Sequence, residues 1–108
     1  MLPSEVIQEL SRLTQEILKG YEALHEAEKE LAQADLDLDT VEQKAFIAAQ
    51  GTVADRTAIA RLESAENRFS RDLARAKVNR IKTKIKAVES AMTASQTIAR
   101  LIDTERRI

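Results

Sequence analysis

Eight cations crowd one stretch of the chain: Arg68, Arg71, Arg75, Lys77, Arg80, Lys82, Lys84 and Lys86. Cations at that density can track a phosphate backbone, because each one that neutralises a phosphate releases a condensed counterion. On a helix the run splits in two. Arg68, Arg71, Arg75, Lys82 and Lys86 line one face, and Lys77, Arg80 and Lys84 line another. The first face is the candidate surface for nucleic acid or for an acidic partner. The same cations have a second use, which is to pair with an acidic helix of their own chain, and the two uses can coexist. Phe46, Phe69 and Tyr21 are too few to build a stacking platform for single strands.

The other chemistry-bearing residues point away from catalysis. Asp35-Leu36-Asp37-Leu38-Asp39 starts like a calcium loop, but Thr40 stands where the glycine belongs and Phe46 where the closing glutamate belongs. Asp35 and Asp37 read better as charges flanking a helical seam. His25 is the only histidine, so no catalytic zinc set can form around it, and it reads as a solvated surface residue. Ser90, Thr93, Ser95 and Thr97 have no base beside them to activate a hydroxyl. There is no cysteine and no glycine-rich phosphate loop. The expectation is a chain that is not an enzyme, with no cofactor, metal or small-molecule substrate.

The elements that must position these residues are helices. Apolar residues make up 44% of the 108 positions and charged ones 32%, with two glycines and one proline, a mix that favours helix nearly throughout. From Val6 to Ala48 the apolar positions step 4, 3, 4, 3 without a slip, a heptad seam. One edge is large (Leu10, Ile17, Leu24, Leu31, Leu38), while the other is small through its middle (Gly20, Ala27, Ala34). The flanks are acidic at Glu9, Glu16, Glu28, Glu30, Asp35, Asp37 and Glu42, so the seam asks for a basic partner. Pro3-Ser4 opens this helix with Ser4 as cap, and Gly20 costs it about 1 kcal/mol against alanine. Gln50-Gly51-Thr52 breaks it. Gly51 suits a left-handed residue after a helix, and Thr52 with Asp55 makes a variant capping box.

The expected fold is therefore all-α: a long antiparallel two-helix coiled-coil hairpin. It forms a single domain over 1–108, with helix 1 about 4–49, a turn at 50–52 and helix 2 about 53–106. Helix 2 carries two apolar stripes. One runs through Ala58, Leu62, Ala65, Phe69, Leu73 and Ala76, skips Arg80 and Thr83, and resumes through Ala87, Ala91, Ala94, Ile98 and Leu101. The other holds Ala74, Val78, Ile81, Ile85, Val88, Met92, Ser95, Ala99 and Ile102. The longer stripe is assigned to the partner of the Val6–Ala48 seam, with residue i facing about residue 102 − i. That leaves Val78, Ile81, Ile85, Val88, Met92, Ala99 and Ile102, beside Ile7, Leu18 and Tyr21, as an interface for a homo-oligomeric helical bundle.

Charge is segregated along the chain. Residues 1–50 hold 11 acids against 4 bases, and residues 68–108 hold 4 acids against 11 bases. No apolar run is long enough to span a bilayer, and the segment Met1–Glu5 lacks the features of a signal peptide, so the expected location is the cytoplasm.

The turn sequence Ala45-Phe46-Ile47-Ala48-Ala49-Gln50-Gly51-Thr52, followed by Asp55-Arg56, resembles that of small helical-hairpin proteins of tailed phages encoded in DNA replication and recombination gene clusters. Ala87-Val88-Glu89, Ser95-Gln96-Thr97 and the basic end at Arg106-Arg107 extend the resemblance over about residues 20–108. It implies a context, not a mechanism: a phage accessory protein in the cytoplasm of a bacterial host, contacting DNA or a DNA-metabolism protein of phage or host. A looser analogy runs to the recombination mediators of T-even phages, with no residue to carry over. Two further readings are a structural or adaptor coiled coil, and a host-directed inhibitor of one bacterial protein, neither with nucleic-acid contact.

Overall fold

The computed structural model describes residues 2–107, and Met1 and Ile108 lie outside the described residues. The fold is all-α, with α1 at Pro3–Ala48, α2 at Val53–Glu63 and α3 at Ala65–Arg107. Only Leu2, the 49–52 link and Ser64 are non-helical among the described residues.

α1 starts two residues earlier than Ser4 would allow as a cap. Leu2 is the residue before the helix, and its carbonyl accepts from the Glu5 and Val6 amides at 3.0 and 3.1 Å. Pro3 takes the first helical position, where its missing N–H costs nothing and its fixed φ fits. Ser4 is thereby inside the helix, not at its cap. At the other end Gly51 has φ 115°, a backbone that L side chains rarely adopt. Thr52 and Asp55 form a reciprocal capping box: the Asp55 amide donates to Thr52 Oγ1 at 3.1 Å, and the Thr52 amide donates to Asp55 Oδ2 at 3.3 Å.

The second helix is interrupted where the sequence reading ran it straight. Ser64 sits between α2 and α3 at φ −95°, ψ 7°, off the helical well. Its hydroxyl donates to the Ala60 carbonyl at 2.7 Å, the back-bonding that bends helices at serine. The four-residue ladder nevertheless passes through, from the Ser64 amide to Ala60 O and from the Arg68 amide to Ser64 O. Through residues 72–80 α3 is continuous.

The chain divides into two compact units, Met1–Leu24 with Arg80–Ile108, and His25–Asn79. In the first unit the buried apolar side chains are Val6, Leu13 and Ile85. In the second they are Ala27, Leu38, Ala45, Ala60 and Val78, three of them alanines. Within the second unit α1 runs antiparallel to α3, since Glu30 meets Lys77, Asp35 meets Arg71 and Glu42 meets Arg68.

The two stripes of the second helix exchange roles. Apart from Arg68, half-buried at the flank, the buried and half-buried positions of α3 are Asn67, Arg71, Ala74, Val78, Ile81, Ile85, Val88, Met92, Ser95, Ala99 and Ile102, preceded by Ser64. This series steps 3, 4, 3, 4 without a slip, the same 3.5-residue repeat as α1. The stripe of Leu62, Phe69, Leu73 and Leu101 stands exposed instead. From Ala65 to Leu101 that stripe advances ten steps in 36 residues, or 3.6 per step, so it drifts about 20° per heptad away from a 3.5-residue seam. Counting apolar residues rejects the true series, because Ser64, Asn67, Arg71 and Ser95 are polar. Packing accepts it, because the serines are small and the stem of Arg71 can be buried while its head reaches Asp35.

Candidate interaction surfaces

The cations of α3 are not equivalent. In the unit His25–Asn79, Arg68 pairs with Glu42 at 3.5 Å and also donates to Ser64 Oγ at 3.2 Å. Arg71 reaches Asp35 at 3.8 Å and Asp72 at 2.8 Å. Lys77 donates to Glu30 at 3.0 Å. Arg68 and Lys77 sit on positions that flank the seam and Arg71 within it, and each is drawn toward the acids that line α1. Arg75 is exposed, with no ion pair among the described residues. In the other unit, Lys82 and Lys86 lie one turn apart on α3, both exposed and both without an ion pair among the described residues. Of the five positions nominated for nucleic acid, Arg68 and Arg71 are engaged by the chain's own acids, whereas Arg75, Lys82 and Lys86 remain available.

The positions nominated for oligomer assembly face the other way. Val78 and Ile85 are buried, and Ile81, Val88, Met92, Ala99 and Ile102 are half-buried. The cause is the seam: a methyl group built on Gly20 would lie 2.9 Å from Ile85 Cγ1, so α1 and α3 approach closely there. The 102 − i rule had set Gly20 against residue 82, three residues short. Ile7, Leu18 and Tyr21 are exposed as expected for surplus apolar residues, at 68%, 58% and 49%. Tyr21 Oη donates to Glu89 Oε1 at 3.1 Å, and that hydrogen bond to a carboxylate raises the tyrosine pKa. Close by in sequence, Arg12 pairs with Glu9 and Glu16, and its hydrogen bond lowers the Glu9 pKa.

Two clefts open in this unit. One, of about 420 Å³, is lined by Gly20, Ala23, Ile81, Ile85 and Val88 with the charged Glu16, Lys19 and Lys84. The other, of about 180 Å³, lies between Val6, Ile7 and Leu10 on one side and Ala99, Ile102 and Asp103 on the other. In the unit His25–Asn79 a third cleft is lined by Glu42, Gln43, Phe46, Thr57 and Ala60.

Of Asp35 and Asp37, Asp35 reaches across to the other helix, and Asp37 is bonded within α1. Asp35 meets Arg71, and Asp37 accepts from Gln33 Nε2 at 2.8 Å. Among the described residues, no group of three or more His, Cys, Asp or Glu could hold a metal ion. His25 is exposed. Among the described residues, no helix is long and apolar enough to cross a membrane.

The feature that sequence reasoning missed is an outward apolar face in the unit His25–Asn79. Ile59, Leu62, Phe69 and Leu73 project from α2 and α3 with 37%, 78%, 66% and 55% of their surface exposed. The signal was present in the sequence as a stripe, but it was spent on the seam. No protein family, curated protein or solved structure matches this chain.

Proposed function

We propose that this chain is a non-enzymatic helical-hairpin scaffold that works by binding other macromolecules along the faces of its long helices. One observation carries the reading. Among the described residues 13 large hydrophobic side chains are exposed, while the buried apolar core has eight members, three of them alanine. Burying a leucine-sized side chain contributes about 1.5–3 kcal/mol, so this distribution leaves apolar surface still to be gained in association. Photo-crosslinking groups placed at Leu36, Ile47 and Ile98 are expected to give discrete protein adducts, while the same group at buried Leu13 gives none. Equal yields at outward and inward positions would defeat the proposal.

A second reading makes the partner DNA. It draws on the resemblance of the Ala45–Thr52 turn to phage hairpin proteins of replication and recombination clusters. Its support in the structure is the exposure of Arg75, Lys82 and Lys86 without ion pairs among the described residues. Duplex and single-stranded DNA titrated at low and moderate salt are expected to bind with a salt slope that becomes shallower in the Arg75→Gln, Lys82→Gln, Lys86→Gln variant. Absence of binding at either salt ends this reading and returns the cations to assembly alone.

A further inference from the structure

We infer that the face built from Ile59, Leu62, Phe69 and Leu73 is a docking surface for a second copy of this chain, lying antiparallel across it. The inference deepens the scaffold reading above by naming one partner of one face. It starts from the periodicity of that face. Ile59, Leu62, Glu66, Phe69, Leu73 and Ala76 step 3, 4, 3, 4, 3, a heptad seam with a single polar member. The helical ladder passes through Ser64, so the face is continuous from α2 into α3. Three of its side chains are more than half exposed, at 78%, 66% and 55%.

The occupant follows from charge. The edge of this face that follows Leu62, Phe69 and Ala76 carries Glu63, Ser70 and Lys77, spaced one heptad apart as acid, neutral, base. An antiparallel two-fold axis near Ser70 sets each Glu63 against the partner's Lys77 and places Phe69 against the partner's Leu73. A parallel pairing would oppose Glu63 to the partner's Glu63 and Lys77 to the partner's Lys77. Glu63 has no ion pair among the described residues. Lys77 donates to Glu30 but keeps half of its side chain exposed, and an ammonium has two further protons to offer. Asp72, on the opposite edge, is already met by Arg71 at 2.8 Å, which offsets its approach to the partner's Asp72. The edge is thus complementary to itself in one orientation and repulsive in the other.

Sedimentation equilibrium of the full chain tests the pairing. The wild type is expected to show the mass of two chains, with a thermal midpoint that rises with concentration. Phe69→Glu with Leu73→Glu is expected to give one chain at unchanged helicity, since both side chains are exposed. Glu63→Lys alone and Lys77→Glu alone are each expected to weaken the dimer about tenfold. An equimolar mixture of those two variants restores it, because every pair across the axis is then opposite in sign. A wild type of single-chain mass, an assembly indifferent to Phe69→Glu with Leu73→Glu, or a mixture no tighter than its components overturns the inference. Any of these would leave the scaffold reading intact, because that reading is read out by adducts from Leu36, Ile47 and Ile98, outside this face.

Discussion

Gly20 shows how one residue can be read correctly for its cost and incompletely for its use. As a helix-interior glycine it costs about 1 kcal/mol against alanine. Its place opposite Ile85 gives the reason: an added methyl would meet Ile85 Cγ1 at 2.9 Å and Cδ1 at 3.4 Å. Ile85 is buried, so turning it toward the cleft it shares with Gly20 gives up packing in the seam. Gly20→Ala is therefore expected to destabilise by about 1 kcal/mol, an overpacking cost larger than the gain in propensity. In an Ile85→Ala background the same change is expected to stabilise by about 1 kcal/mol, and a double-mutant cycle by thermal melting measures the reversal of sign. Tyr21 offers a second residue-scale measurement. It is the only tyrosine, and the chain has no tryptophan, so its absorbance reports one group. The Glu89 carboxylate raises its pKa above the usual 10.0. A raised folded pKa means that the Tyr21–Glu89 contribution is complete below about pH 10 and is lost as pH rises through the higher folded value. Ultraviolet titration is expected to place the tyrosine midpoint lower in Glu89→Gln than in the wild type.

The turn between α1 and α2 is the element whose parts the sequence announced best. Gly51 and the Thr52–Asp55 box depend on residues adjacent in the chain, and local rules read such residues well. What local rules do not contain is Arg56. Its guanidinium donates to the Phe46 carbonyl at 3.1 and 3.0 Å and stacks over the Phe46 ring at 4.3 Å from the centroid. One side chain thereby satisfies an orphan carbonyl in the last turn of α1 and clamps it to the first turn of α2. Arg56→Ala is expected to cost about 2 kcal/mol, from a lost charge-assisted hydrogen bond and a cation–π contact. Arg56→Lys is expected to recover less than half of this, because an ammonium cannot present the planar fork. Thermal melts of the two variants check both values. Ser64 makes the same point for α2 and α3. A serine within a helical pattern is unremarkable in sequence, and only its zero exposure and its bond to Ala60 identify it as the break.

Over the whole molecule, helix content was legible in composition and periodicity, but the assignment of faces was not. Both stripes of the second helix satisfy helical spacing, and apolar counting prefers the one that runs longer. The segregation of charge, acids in residues 1–50 and bases in 68–108, finds part of its outlet in the Glu30–Lys77, Asp35–Arg71 and Glu42–Arg68 pairs. Pairs like these, at the surface though Arg68 and Arg71 are only partly exposed, are worth about 0–1 kcal/mol each, so they choose orientation more than they add stability. The sequence by itself determined that the chain is all helix, where it turns, and that acid on α1 would meet base on α3. Those properties follow from local propensity, capping chemistry and charge. Only the tertiary structure decided which stripe faces inward, because that choice depends on whether Ser64, Arg71 and Ser95 fit a close-packed 3.5-residue seam. The fit turns on side-chain volume and the distance between helices, neither of which apolar periodicity encodes.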